Sequence, residues 1–296
     1  QAEDGIRDRD VTGVQTCALP ICHDIHSHPE TAFEEVRTAD IVADKLKSFG
    51  IEVHRGLAKT GVVGVLRSGT SKRAIGLRAD MDALDVHETN QFAHKSTIPG
   101  KMHACGHDGH TAMLLGAARY LAQTKSFDGA VHFIFQPAEE QEGGGRVMVE
   151  QGLFEKFPMD AVYGLHNWPG LDLGRFALIP GPMMASADQV EIIVRGHGAH
   201  AAMPHLGVDP VVAGAAMVQA LQTLVSRGLE PVDAAVVSIT QFHAGDTDNV
   251  IPAEARLGGT VRAFKAETRD ALEAGIKRIC EGVAAAHGAT VEVKYK

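Results

Sequence analysis

Nine residues, Met102–His110, hold one thiol, three imidazoles and one carboxylate. Cysteine and histidine are the ligands that suit zinc and its neighbours. Gly106 and Gly109 let the backbone turn several of these groups towards one point. The apolar run that begins at Thr111 reads as a buried helix, so the cluster lies on a loop that feeds a helix N-terminus. The bland alternative is a polar loop with a chance cysteine. It fits poorly with a chain that has only four cysteines.

Further donors stand where apolar runs end. Glu139 and Glu140 follow Ala130–Phe135 and precede Gly143–Gly145. Neighbouring side chains on extended backbone point to opposite sides. One carboxylate can therefore bind a metal while the other faces a substrate as a base. His166 follows Asp160–Leu165, and Asp80 follows Ala74–Ala79. Cys105, His107, Glu140 and His166 together offer the N, S and O donors that a divalent site needs. Taken singly, His166 reads more readily as a structural histidine, and Asp80 as the ion-pair partner of Arg78. Asp82 is expected to matter less than Asp80. His26, His28, His103 and His110 have weaker claims, His110 as a hydrogen-bonding residue within the loop.

These groups must be positioned by an α/β framework. Strands are expected at Ile51–His54, Val62–Leu66, Ala74–Ala79, Ala130–Phe135 and Asp160–Leu165. Helices are expected over Thr31–Phe49, after the Met102–His110 loop, and over Arg146–Leu153. Phe33, Val36, Ala39, Val42, Ala43 and Leu46 share one face of the first of these, and Gly50 is its stop. In open α/β sheets, ligands gather at the carboxyl ends of the strands. Asp80, Glu139, Glu140 and His166 all sit at such ends.

The pattern changes near Pro180–Pro182. Beyond it the order is strand (Val190–Arg195), helix (Asp209–Arg227), strand (Ala234–Phe242), strand (Ala255–Phe264), helix (Thr268–Ala286), strand (Thr290–Tyr295). That βαββαβ order is the ferredoxin-like split unit. The expected domains are 22–183 and 184–296. Residues 1–21 show no clean period, and Val11–Ile21 resembles the translation of a sequencing-library adapter. That stretch is expected to be a non-native leader and is set aside with Cys17.

The 296 residues carry a net charge of −9 with no basic run, which argues against nucleic acid or an anionic membrane as partner. No apolar run reaches membrane-spanning length. Four cysteines without a disulfide-like spacing favour a cytoplasmic protein.

The segments Asp24–Glu30, Leu77–Leu84, Met102–Met113, Phe135–Glu140 and Gly164–His166 resemble the amidohydrolase branch of the aminoacylase/carboxypeptidase metallopeptidase family. Hippurate hydrolases and indoleacetyl-amino acid hydrolases belong to that branch. The resemblance runs from about Cys22 to Lys296. It implies a zinc-peptidase-like mixed sheet with helices on both faces, and an inserted ferredoxin-like lid or dimerisation domain. It implies two divalent metal ions, with zinc or manganese favoured and cobalt or nickel feasible. Cys105, His107, Glu140 and His166 would be ligands, Glu139 the general base, and Asp80 a residue that orients a ligand.

Gly198–His205 resembles the family's lid segment, in which a histidine reaches an active site; that points to His200. Asn249–Pro252 and Gly259–Arg262 resemble segments that hold the substrate carboxylate, which points to Asn249 and Arg262. A guanidinium suits a carboxylate. The implied reaction is hydrolysis of the amide bond of N-acyl amino acids by a metal-bound water, in a homodimer or homotetramer formed through the lid. The alternatives are a dipeptidase or an N-acetyl-amino-acid precursor deacetylase of the same family, or an inactive metal-binding fragment. Asp85 stands where the family has proline. The family's later strands, a helix and one more histidine ligand do not occur before Lys296, so a fragment with an incomplete catalytic domain is expected.

Overall fold

The computed structural model describes residues 9–296, with side chains from Ala18 onward. The described chain divides into two compact units, one ending at Leu171 and the other spanning Asp172–Lys296. The break comes earlier than the expected 183/184. It falls in the stretch after Gly164 and before Asp188 that has neither helix nor strand. Among the described residues no helix is long and apolar enough to cross a membrane.

The first unit begins with helix α1 (Arg9–Ser27), which contains Pro20. The expected leader lies partly outside the described residues, as do residues 1–8 and the side chain of Cys17. Where it is described, it is helical rather than aperiodic. Ile25 is fully buried, and Ile21 packs on the core. Tertiary burial of this kind overrides weak local periodicity. Helix α2 (Val36–Ser48) starts later than expected. Phe33 has φ +60°, which breaks the helix before it. Glu30 then accepts the Arg37 and Thr38 N–H groups at 2.9 and 2.8 Å, which caps the first turn. Val36 is exposed rather than part of the buried face, which Thr38 joins instead.

Strands β1 (Glu52–Leu57), β2 (Gly61–Ser68) and β3 (Ala74–Asp80) follow, then helix α3 (His107–Thr124) and strand β4 (Gly129–Gln136). Helices α4 (Gly144–Glu150) and α5 (Leu153–Lys156) lead to strand β5 (Ala161–Gly164). The sheet order is β1-β2-β4-β3-β5. β3 runs parallel to both β4 and β5, with Asp80 level with Gln136 and Arg78 level with Gly164. Alternation along β4 sends Phe133 and Phe135 under α2 and α3, and Ile134 to the opposite face with Met148 and Leu153. Helices therefore cover both faces. The three parallel strands deliver their carboxyl ends to one edge.

The second unit contains β6 (Asp188–Arg195), β7 (Ala199–His200), a 3-10 turn (Pro204–Leu206), α6 (Pro210–Gly228), β8 (Ala235–Ala244), β9 (Val250–Ile251), β10 (Glu254–Ala263), α7 (Ala266–Ala286) and β11 (Thr290–Tyr295). Asp209 caps α6 by accepting the Val211 N–H at 2.8 Å. The antiparallel order β11-β6-β10-β8 is that of the βαββαβ unit. Met217 and Leu221 of α6 and Leu272 and Ile276 of α7 pack on one face of it. The other face carries ion pairs such as Arg195–Glu292 and Lys294–Glu191. The small β7/β9 ribbon was not evident from periodicity.

Phe133 is fully buried between the sheet and α3. Replacing it with alanine is expected to destabilise the first unit by about 3–5 kcal/mol, measured by denaturant titration.

Candidate metal centre

Gly106 sets the geometry of the loop. It caps α3 with φ +93°, and a β-carbon there would stand 2.7 Å from Asn167 Oδ1. Both facts require glycine. The bend places Cys105 on one side and His107, the first residue of α3, on the other.

His107 is fully buried. Its Nδ1–H donates to the Asp82 carbonyl at 2.9 Å, with Asp82 Oδ1 at 3.3 Å. That fixes the tautomer and leaves Nε2 with a bare lone pair. Nε2 has no hydrogen-bond partner and stands 3.7 Å from Glu140 Oε1, which also has none. His166 repeats the device. Its Nδ1–H donates to the Asn167 carbonyl at 2.6 Å, and its Nε2 lies 3.4 Å from Cys105 Sγ. Trp168 stands edge-on to His166, with ring centroids 6.4 Å apart.

Cys105, His107 and His166 bring one donor atom each within 4.8 Å of one another, and so do His107, Glu139 and Glu140. Asp80, His107 and His110 form a third such group. His110 is already committed: its Nδ1–H donates to Asp80 Oδ1 at 2.6 Å, and its Nε2 accepts the Asn167 N–H at 3.0 Å. Asp80 Oδ2 takes Arg78 Nη1 at 2.6 Å. We read Asp80 and His110 as supports, not ligands.

Charge balance points the same way. Burial opposes ionisation of Asp80, but the His110 hydrogen bond and the charges of Arg78 and His107 outweigh it and hold the carboxyl well below its usual range. Partial desolvation by the neighbouring groups raises the Glu139 pKa although its side chain reaches solvent, and Glu140 raises it further. Burial also pushes the Cys105 thiol up to about 12, aided by a hydrogen bond to Glu140 and by the charges of Glu140, Glu139 and Asp80. His107 is shifted upwards. Burial works against the charged form, but Asp82, Asp80 and Glu140 prevail. Two buried orphan atoms, a thiol and converging carboxylates make a donor set that fits a divalent metal ion.

The two glutamates differ in exposure. Glu140 is half-buried and turned towards His107, whereas Glu139 is exposed. Asp82 was undervalued by sequence reasoning. It receives the Glu140 N–H on Oδ2 at 2.9 Å and holds His107, so it aligns two donors at once. The signal was available: Asp80 and Asp82 are two apart on extended backbone and share a side.

The other histidines that the sequence singles out near the loop lie outside these donor groups. His26 is held between Asp108 and Glu88, and His28 bonds the Asp24 carbonyl. His103 is buried without a hydrogen-bond partner, and burial lowers its pKa to about 4.

In the second unit, His200 on β7 stands level with Val250, and Asn249 immediately precedes β9; the Ala201 N–H donates to the Asn249 carbonyl at 3.0 Å. Arg262 on β10 turns its guanidinium to the Thr260 hydroxyl and the Val261 carbonyl.

This chain belongs to the peptidase family M20/M25/M40, whose profile matches residues 76–284. It is a hydrolase of amide bonds. It is 49% identical to a hippurate hydrolase of Campylobacter jejuni, over 92% of this chain and 71% of that protein. It is 42% identical to an N-acyl-L-amino acid amidohydrolase of Geobacillus stearothermophilus, over 96% of this chain and 77% of that protein. Among solved structures it resembles a dinuclear metal-binding M20 peptidase of Bacillus subtilis. The TM-score is 0.78 and the identity 37%, over 96% of this chain and 74% of the other.

Ligand thiols must shed their proton to bind. Loading Zn2+ at pH 7 is therefore expected to release about one proton from Cys105, with affinity rising as pH rises. Titration calorimetry in buffers of different ionisation enthalpy measures this. Cys105→Ser is expected to weaken binding.

Proposed function

We propose that the protein hydrolyses the amide bond of N-acyl amino acids, with two divalent metal ions held by Cys105, His107, Glu140 and His166. The single observation that carries this reading is the pair of buried, unpartnered donor atoms on His107 and Glu140 beside an exposed Glu139. The names of the relatives agree with it: one hydrolyses hippurate, and another is an N-acyl-L-amino acid amidohydrolase. Zinc or manganese suits the mixed thiol, imidazole and carboxylate set.

When bound, the metals would polarise the acyl carbonyl and acidify water. The protein supplies the proton transfers and the positioning. Glu139, with a raised pKa and an exposed carboxylate, takes a proton from the attacking water on one of its oxygens. It then returns that proton to the leaving amine nitrogen. Asp80 and Asp82 keep His110 and His107 in fixed tautomers, so the donor atoms do not reorganise during turnover. His200 is assigned to the developing oxyanion, and Asn249 and Arg262 to the substrate carboxylate. Their chemistry supports those roles: an imidazole N–H stabilises negative charge, and amide and guanidinium groups bind carboxylates.

We place the protein in the cytoplasm, as a homodimer or homotetramer formed through the βαββαβ unit. The free thiols of Cys22, Cys105 and Cys280 support the first of these assignments. Among the described residues the outer edge of β8 pairs with no strand, which supports the second.

Glu139→Gln is expected to lower benzoylglycine turnover by about 10²–10⁴-fold while the metal content is kept. Turnover by product assay and metal by mass spectrometry decide it; near-parental turnover would remove Glu139 from the base role.

A further inference from the structure

The backbone around Glu139 is clamped from both sides by buried carboxylates. On the far side Asp82 accepts the Glu140 N–H. On the near side the acceptor comes from outside the donor cluster. Glu35, just ahead of α2, is fully buried, and its Oε1 accepts the Ala138 N–H at 2.9 Å. The same oxygen accepts the Phe33 N–H at 3.2 Å, and Oε2 accepts the Thr60 hydroxyl at 2.7 Å. Glu35 thus ties together the start of α2, the β1–β2 turn and the end of β4.

What it holds at Ala138 is not a relaxed conformation. Ala138 has φ +52°, in the left-handed region that residues with a β-carbon avoid. Its carbonyl is fixed in turn by the Gly144 N–H at 2.9 Å. That close approach needs glycine, because a β-carbon at residue 144 would collide with the Pro137 carbonyl oxygen. The segment 137–143 has neither helix nor strand of its own, so these side-chain and cross-loop bonds set its course.

We propose that Glu35 is a positioning residue for Glu139: its carboxylate locks the Ala138 peptide in the left-handed turn that aims the following side chain at the reaction site. The inference rests on the reading of Glu139 as the base. Two oxygens accept three donors at Glu35. An amide at residue 35 offers a single acceptor oxygen and sets N–H against one of those donors. Burial raises the pKa of Glu35, so the position carries a cost that a purely structural contact could avoid with an apolar side chain.

The test uses Glu35→Gln and Glu35→Asp in the metal-loaded enzyme with benzoylglycine. The second variant keeps the charge but withdraws the carboxylate, and serves if the first does not fold. Both are expected to lower kcat about 100-fold with little change in KM. Metal stoichiometry should be unchanged, and amide exchange of peptide 136–142 should speed up even without metal. Glycine takes positive φ without strain, so adding Ala138→Gly to Glu35→Gln is expected to restore kcat about tenfold. Thr60→Val cuts another bond to Glu35 but spares the one to Ala138. It should lower the melting temperature and leave kcat near that of the parent.

A folded, metal-loaded Glu35 variant with kcat within about threefold of the parent would overturn the proposal, as would a Thr60→Val loss as large as that of Glu35→Gln. An inactive Glu139→Gln beside fully active Glu35 variants would sink this inference alone. An active Glu139→Gln would sink the base assignment, leaving the exchange result to report on the turn.

Discussion

Negative charge crowded into a small, poorly hydrated space is the constraint on which the first unit depends. Asp80, Asp82, Glu139 and Glu140 all approach His107, and Asp80, Asp82 and His107 are shut off from solvent. Unpaired, such groups would rather take up protons than stay charged. The fold answers each in turn. Asp80 is met by His110 and Arg78, and Asp82 by the Glu140 N–H and the His107 ring. What is left over is one carboxylate oxygen on Glu140 and one imidazole nitrogen on His107, with the Cys105 thiol close to the latter, and those are the atoms that a cation would satisfy.

The architecture can be read as a means of building that remainder. Three parallel strands end at one edge, so Asp80 and Asp82, Glu139 and Glu140, and His166 arrive there from β3, β4 and β5. A slip of one residue between β3 and β4 would carry Asp80 and Asp82 to the wrong face. The apolar alternation of β4, locked between helices on both faces, guards against it.

Much of this was legible in the chain. The apolar runs marked the strands of both units to within a few residues, and the candidate donors stand at the ends of those runs. The βαββαβ order followed from helical and strand periods that were clean in the second unit. The parts that were not legible share a cause: they depend on partners distant in sequence. Helix α1 is held by burial of Ile25 against the core rather than by its own pattern. Asp82 earns its role through a backbone N–H fifty-eight residues away. Glu35 looked like one more polar position on a helix, yet its main partner lies 103 residues on. The β7/β9 ribbon that pairs His200 with Val250 is too short to leave a period.

Trp168, edge-on to His166, is the sole tryptophan of the 296 residues. Indole emission from this chain therefore has one origin, and that origin sits a single residue past the neighbour of a candidate ligand. Quenching metals such as cobalt and nickel, or an aromatic acyl group arriving near His166, would alter a signal that no other indole dilutes. The protein carries its own optical probe at the place where its chemistry is assigned, and no label need be attached to read it.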